Sequence, residues 1–506
     1  MSRNVYELLF NSNSEGKTNP FLSVPGGLTY TFGQLDRRSA AIATVLTQLG
    51  LEPGDRVASQ VSKSPDAVAL YLGCLRGGFV FVPLDSNLGV EDTGFFLGDC
   101  EPKLFVCDEA DVDRLRPVAD IVGVDQVHTL SPTSTGTLAD AANEAHPLVP
   151  VCARSAQDPA VIIYTAGTTD RAKGAIVTHE NLITNVRALH AIWRWRPGDV
   201  MLHTLNISSA FGLFVGLHNS LLNGSEVIFA PEFSVDLVEA YLPNCSVFME
   251  TPEHLAELAN SEAFGPELVS NLRLMVSSNA YLSVATFGDY LDKANIGLTE
   301  CYLATEAGVI ASNPPEAERI GGSVGFALPN ISMRIISPNG TALPAGEIGE
   351  VQVKGPSLFS GYWSNPEASE AAFTTDGYFH TGDVGFVEPD GRLTLAGRVK
   401  DMMNLGGAIV YPREIEVVVE SLPGVRDAVA IGFAHPENRT AIAVFIVSDS
   451  DVTQEDVVGV LADNIDQRKM PERYIFVADL PKSALGVVQR TQIRNKFADL
   501  FKDESL

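Results

Sequence analysis

Residues 160–174 read AVIIYTAGTTDRAKG. An apolar, β-branched run of buried-strand character passes straight into a Gly/Thr turn, with Lys173 behind it. Such a turn offers backbone N–H groups, the hydroxyls of Thr165, Thr168 and Thr169, and one cation to a polyphosphate. It is not a Walker A loop, because Ala172 rather than Gly precedes Lys173 and Gly174 rather than Ser or Thr follows it. Taken alone, the same residues also suit a plain surface loop.

Outward from this stretch, apolar runs alternate with helix-period segments through the first 240 or so residues, which predicts a layered α/β architecture. LYLGCLRGGFVFVPLD (70–85) and KLFVCD (103–108) read as successive strand-containing units, and TLSPTSTGT (129–137) as a surface connection. From about 323 to 396 the texture changes to short β runs between turns, as in EIGEVQVKGP and GRLTLAG. After GRVKD (397–401) a compact α/β pattern restarts. IEVVVESLPG reads as helix, VRDAVAIGF and TAIAVFIVS as strands, and VTQEDVVGVLADNI as a helix capped by Thr453. The expectation is a large N-terminal α/β domain (1–399) with a β-rich subdomain, joined by a short hinge at Lys400 to a small mobile α+β domain (400–506).

A chain of 506 residues is too long for a single core. Its formal charge of −28 argues against non-specific binding to nucleic acid or anionic membranes. The N-terminal MSRNVYELLFNSNSEG carries no apolar signal core, and AVALYLGCLRGGFVFVPL (67–84) is interrupted by Arg76 and glycines, which disfavours a membrane span. The six cysteines are scattered without a CxxC pair, as expected of free thiols in a reducing cytoplasm.

Together with CYLATEAG (301–308), HTGDVGF (380–386) and LAGRVKDMMNLGGAIVYPREIE (395–416), the 160–174 stretch resembles the acyl- and aryl-CoA synthetase, adenylation-domain and luciferase superfamily. The texture is most similar to the malonyl-CoA synthetase branch. The motifs run in the family's order from about residue 25 to 500. The resemblance implies two half-reactions: a carboxylic acid attacks the α-phosphate of Mg-ATP to give an acyl-adenylate, then the small domain rotates and the CoA thiol displaces AMP. By this resemblance Thr165, Thr168, Thr169 and Lys173 cradle pyrophosphate. Tyr302, Asn279 and Ala280 line the adenine, Thr305 meets the α-phosphate, Glu306 holds Mg²⁺, and Asp383 with Arg398 takes the ribose hydroxyls. Lys400 is the hinge, and Gly406 and Gly407 let pantetheine approach the backbone.

The pattern breaks in four places. The family's C-terminal Pro-x-x-x-x-Gly-Lys appears as Pro481 to Gly486 followed by Val487, where the family's lysine bridges carboxylate and α-phosphate. Losing one preorganised donor typically costs about 10²–10³ in rate. Ala166 and Asp170 replace the usual Ser and Gly of the phosphate loop. In the acyl pocket Ser208, Ser209, Ala210 and Phe211 replace an aromatic or His cluster, Glu257 stands in place of the malonate-clamping arginine, and Ser278 and Leu303 stand where Gly is common.

The weakened ATP side beside an intact adenosine and pantetheine side predicts an enzyme that makes an acyl-CoA thioester from CoA and a ready-made acyl-AMP, supplied by a separate adenylating enzyme. Its acid is expected to be bulky and largely apolar, of the kind met in natural-product biosynthesis. Two alternatives stand beside it. Lys482, Arg490 or Arg494 substitutes for the lysine in a full Mg-ATP-dependent ligase, or the chain is a non-catalytic acyl- or adenylate-binding sensor.

Overall fold

The computed structural model describes residues 2–11, 17–147, 149–165, 172–405, 409–437, 439–448, 451–482 and 488–501. The expectations for Ala166, Thr168, Thr169, Asp170, Gly406, Gly407 and Val487 therefore lie outside the described residues. Among the described residues the strands gather into sheets of thirteen, six, three and two.

The six-stranded sheet runs Val127–Thr129, Leu104–Cys107, Arg56–Gln60, Val80–Pro83, Pro159–Thr165 and Lys173–Thr178. Its first five strands are parallel and the last is antiparallel, so Pro159–Thr165 and Lys173–Thr178 pair as neighbouring strands at the sheet edge. The apolar segment 70–85 resolves into the end of helix Pro65–Gly77 and the strand Val80–Pro83, with Gly78 at φ 79° between them. A Cβ on Gly78 would meet the Cys152 sulfur at 2.9 Å, so the turn requires glycine both for its backbone and for its space.

The larger sheet has a parallel centre: Glu226–Phe229, Val200–His203, Val247–Glu250, Leu274–Ser277 and Thr299–Ala304. These strands are short and apolar because both faces are covered. Alternation sends Leu202, Phe248 and Met275 to one face, against Leu255, Leu258, Phe287 and Tyr290. Met201, Val247, Met249, Leu274 and Val276 go to the other, against Trp193, Trp195 and Phe211. At Thr299–Ala304 pairing switches to antiparallel, through Gly308–Ser312 and Ser323–Ala327 to Leu393–Arg398, Phe379–Val387, Gly349–Lys354 and Ser332–Ile336. The β-rich texture from 323 is thus an antiparallel arm of the same sheet.

A 3₁₀ turn, Val399–Asp401, leads into the small C-terminal domain. There helix Pro412–Glu420 packs on the strands Val425–His435, Arg439–Ser448 and Arg473–Phe476. Helix Gln454–Asn464 begins at Thr453, whose hydroxyl accepts the Asp456 N–H at 3.3 Å while the Asp456 carboxylate accepts the Thr453 N–H at 2.9 Å, a reciprocal cap worth about 1 kcal/mol. All six cysteines are free. Among the described residues no helix is long and apolar enough to cross a membrane.

Candidate active site

In sheets of this type ligands collect at the carboxyl ends of the parallel strands, where the strand pattern changes. Here those ends deliver Thr204, Glu250, Ser277 and the hairpin turn carrying Thr305 and Glu306.

Three of the residues expected to hold adenosine meet directly. Asp383 and Arg398 are cross-strand partners, with the Arg398 Nε 3.0 Å from one carboxylate oxygen. The Tyr302 hydroxyl donates to the other oxygen, and the Thr381 hydroxyl accepts the Asp383 N–H at 3.1 Å. Burial pushes the Asp383 carboxyl up while Arg398 and Tyr302 pull it down, and burial with the Asp383 charge raises the Tyr302 hydroxyl. A carboxylate whose present donors are a phenol and a guanidinium suits the paired hydroxyls of a ribose, which are donors of the same kind. Asn279, at φ 76°, turns the chain after strand Leu274–Ser277 and, like Ala280, is half-buried.

On the expected phosphate side Thr165 and Lys173 face each other across the paired edge strands, the Thr165 hydroxyl donating to the Lys173 carbonyl at 3.4 Å. The Lys173 Nζ lies 5.5 Å from the centre of the Tyr362 ring, whose hydroxyl donates to Glu306 at 2.9 Å. Glu306 and Thr305 occupy a tight turn ended by Gly308, where a Cβ would meet the Asn185 side chain at 2.8 Å. Behind the turn a cavity of about 20 Å³ is lined by Asn181, Asn185, His218 and Ser357, the last with a buried hydroxyl that has no hydrogen-bond partner. That is room for one water. Burial raises the Glu306 carboxyl, with Tyr362 opposing. Among the described residues no group of three or more His, Cys, Asp or Glu side chains could hold a metal by itself. One buried carboxylate beside a hydroxyl fits Mg²⁺, which keeps waters and takes phosphate oxygens as its remaining ligands.

The acyl-side residues are more dispersed. Ser208 and Ser209 form a turn folded on Asn206: the Ser208 N–H donates to the Asn206 side chain and the Ser209 hydroxyl to its carbonyl, each at 2.9 Å. Phe211 begins a π-helical segment, Phe211–Leu217, and is sealed into the core with Trp193 and Met201. The Ser278 hydroxyl is buried and donates to the Cys301 carbonyl at 3.0 Å, tying adjacent strands. Glu257 is exposed on helix Pro252–Ala259, where screening weakens its effect on a buried acid.

Sequence reasoning passed over a buried polar group at the same rim. Glu250 accepts the Thr204 hydroxyl, the Thr251 N–H at 2.8 Å and the His254 imidazole at 3.0 Å. The His254 ring stacks on Phe233 with 4.1 Å between ring centres. Burial lowers the His254 pKa, but Glu250 outweighs it and the net direction is up. The legible signal was one charged residue closing the apolar strand Val247–Glu250.

At the expected hinge Lys400 is exposed, and desolvation with the neighbouring Arg398 charge lowers its pKa. Three cations of the C-terminal segment, Lys482, Arg490 and Arg494, are all engaged within the small domain. Lys482 pairs with Asp427 at 3.0 Å, Arg490 with Glu416 at 2.7 Å and the Ala430 carbonyl at 2.8 Å, and Arg494 donates to the Gly432 carbonyl at 3.4 Å.

Residues 12–363 match the AMP-binding enzyme family, and residues 414–486 match the AMP-binding enzyme C-terminal domain. The chain belongs to this family. It is 30% identical to a probable CoA ligase, CCL9, of Humulus lupulus over 94% of this chain and 93% of that protein. It is 29% identical to oxalate–CoA ligase of Arabidopsis thaliana over 94% and 95% of the respective chains. The ATP-bound crystal structure of MatB from Rhodopseudomonas palustris is 36% identical and superimposes with a TM-score of 0.96, covering 99% of this chain and 100% of that one. The apo structure of the same MatB gives 0.88 at the same coverage, so the arrangement of this AMP-binding enzyme is closer to the ATP-bound form. The chain is thus an acyl-CoA ligase-family enzyme of the same superfamily as the sequence motifs implied.

Proposed function

We propose that this enzyme joins CoA to a preformed acyl-adenylate, releasing AMP, and that its own ATP-dependent adenylation is weak or absent. One observation carries the reading: Val487 occupies the sequence position of the family's lysine. The engagement of Lys482, Arg490 and Arg494 on Asp427, Glu416 and Gly432 supports it, since a substitute cation would first have to leave those partners. Valine brings neither a charge nor a donor to the point where a carboxylate and a phosphate must meet.

The remaining step asks less of the protein. The CoA sulfur attacks the acyl carbonyl carbon, the bond from that carbon to the phosphate oxygen breaks, and AMP leaves with the electron pair while the thiol proton passes to solvent. Tyr302, Asp383 and Arg398 would hold the adenosine, Asn279 and Ala280 the base, and Thr305 the phosphate. The small domain would turn about Lys400 to bring Gly406 and Gly407 to the pantetheine arm. An upstream adenylating enzyme is the partner this reading requires, and a cytoplasmic setting goes with it.

The acid is proposed to be a bulky, largely apolar monocarboxylate. Glu257 replaces the arginine that would clamp a second carboxylate, Ser208, Ser209 and Ala210 are small, and the buried Glu250 adds negative charge at the same rim. A second reading, a complete Mg-ATP-dependent ligase, is favoured by the likeness to the ATP-bound MatB arrangement and by the presence of Lys173 and Glu306. In that case Mg²⁺ at Glu306 would neutralise phosphate charge.

The test compares thioester formation from a panel of acyl-adenylates plus CoA with that from the matched acids plus Mg-ATP and CoA. Product from adenylates alone is expected. Comparable product from free acids would overturn the non-adenylating reading in favour of the complete ligase, and product from neither, with adenylate bound, would favour a sensor.

A further inference from the structure

We infer that Arg413 is a positioning residue: by seating its guanidinium on Tyr281 it latches the small domain to the large one, and this latch must open before the thiol can reach the adenylate. The first half stands on geometry alone; the second rests on the proposed thioester-forming reaction.

Arg413 is the second residue of helix Pro412–Glu420 in the small domain. Its guanidinium carbon lies 3.3 Å from the centre of the Tyr281 ring, which belongs to the large domain. The helix itself lies against helix Val284–Ala294 and strand Leu393–Arg398 of the large domain. The side chain of Arg413 is only 12% exposed, and its N–H groups reach Glu416 at 3.1 Å and Glu420 at 3.1 and 2.9 Å.

Charge explains why a cation is needed at this seam. Glu416 and Glu420 are buried on the small-domain side, and Glu300 is buried on the large-domain side, where the Arg413 charge acts on it. Arg490 also reaches Glu416 at 2.7 Å, whereas Glu420 takes both of its bonds from Arg413. Removing Arg413 therefore leaves Glu416 and Glu420 buried at the seam with only Arg490, on Glu416, to offset their charge. A cation held over an aromatic face and shielded from water is attracted more strongly than an exposed one.

The latch also touches the nucleotide edge. Tyr281 directly follows Asn279 and Ala280, so the segment expected to line the adenine is continuous with the ring that receives Arg413.

The experiment measures domain position without requiring turnover. Dyes are placed on the full chain at Asn260→Cys and Asp463→Cys, both exposed and on opposite domains, in a Cys152→Ser background. Single-molecule energy transfer then reports the docked fraction in wild type, Tyr281→Leu, Arg413→Met, the double variant, and Arg439→Met, whose exposed cation pairs with Glu472 inside the small domain. Tyr281→Leu is decisive because it leaves the small-domain glutamates and their arginine untouched. The expected result is a fall in the ratio of docked to undocked molecules of about tenfold or more in Tyr281→Leu and in Arg413→Met, little further change in the double variant, and none in Arg439→Met. The apparent Kd for CoA should fall by up to the same factor, since ligand affinity scales with the population of the competent state. A wild-type distribution in Tyr281→Leu overturns the latch, even if Arg413→Met shifts, because the arginine would then serve only its own helix. A shifted distribution with unchanged CoA affinity keeps the latch and overturns its link to thiol transfer.

Discussion

Replacing Glu300 by glutamine should stabilise the protein, and increasingly so as pH rises. Glu300 lies on strand Thr299–Ala304 with 6% of its surface exposed, and burial raises its carboxyl to about 8 against the opposing Gly322 N–H and Arg413 charge. The ordinary value is 4.5. A raised folded-state pKa means that the native protein holds a proton the unfolded chain releases. Stability from this group is complete below about 4.5 and is lost as pH climbs toward about 8. At about 1.4 kcal/mol per pH unit, the loss is about 3 kcal/mol at pH 7. Glutamine has no proton to lose, and its carbonyl can still accept the Gly322 N–H now 2.7 Å from the carboxylate. For a cooperative unit of ~400 residues, 3 kcal/mol corresponds to a rise of about 4 °C in Tm. Differential scanning fluorimetry of Glu300→Gln against wild type from pH 5 to pH 8.5 measures it directly. The expected difference is near zero at the acid end and grows with pH. A pH-independent offset, or a variant that loses stability as pH rises, would refute the reasoning, the latter by showing an ionised Glu300 paired with Arg413.

Val487→Lys should raise thioester formation from free acid, Mg-ATP and CoA by on the order of 10²-fold; no gain would move the defect to Asp170 and Ala166. Asp383→Asn keeps the shape beside Tyr302 and Arg398 but removes the charge. It should raise KM for acyl-adenylate by about 10–100-fold, in steady-state assays with CoA saturating. Phe211→Ala should cost about 3–5 kcal/mol in denaturant unfolding, because the ring fills the core beside Trp193 and Met201. A ring that lined a ligand pocket would instead change KM at nearly constant stability.

The residues expected on the nucleotide side could be named from sequence because the chemistry that marks them is local. A strand ending in Thr and Gly, a TE pair in a turn, and an aspartate in HTGD each carry their donors and backbone freedom within a few residues. The structure brings Tyr302, Asp383 and Arg398 into contact although Tyr302 and Asp383 are 81 positions apart, since neighbouring strands set their register. The acyl side was harder to read. Ser278 and Phe211 occupy positions where sequence suggests a pocket wall, yet one is spent on a strand carbonyl and the other on the core. Glu257 was marked by its position in a pattern, but the angular phase of helix Pro252–Ala259 leaves it exposed. The carboxylate that is buried at that rim, Glu250, drew no notice because a single charge at a strand end has no periodicity to betray it.

By itself the sequence determined the α/β layering, the change of texture after residue 323 and the compact C-terminal α/β unit, because each depends on residue type and short-range spacing. Tertiary structure alone decided that the β-rich arm continues the large sheet, that Lys482, Arg490 and Arg494 are already engaged, and that Arg413 of one domain rests on Tyr281 of the other. Those are pairings between segments distant in the chain, where burial and charge are set by what the fold brings opposite. No local pattern in the sequence encodes which glutamate will face which arginine across a domain seam.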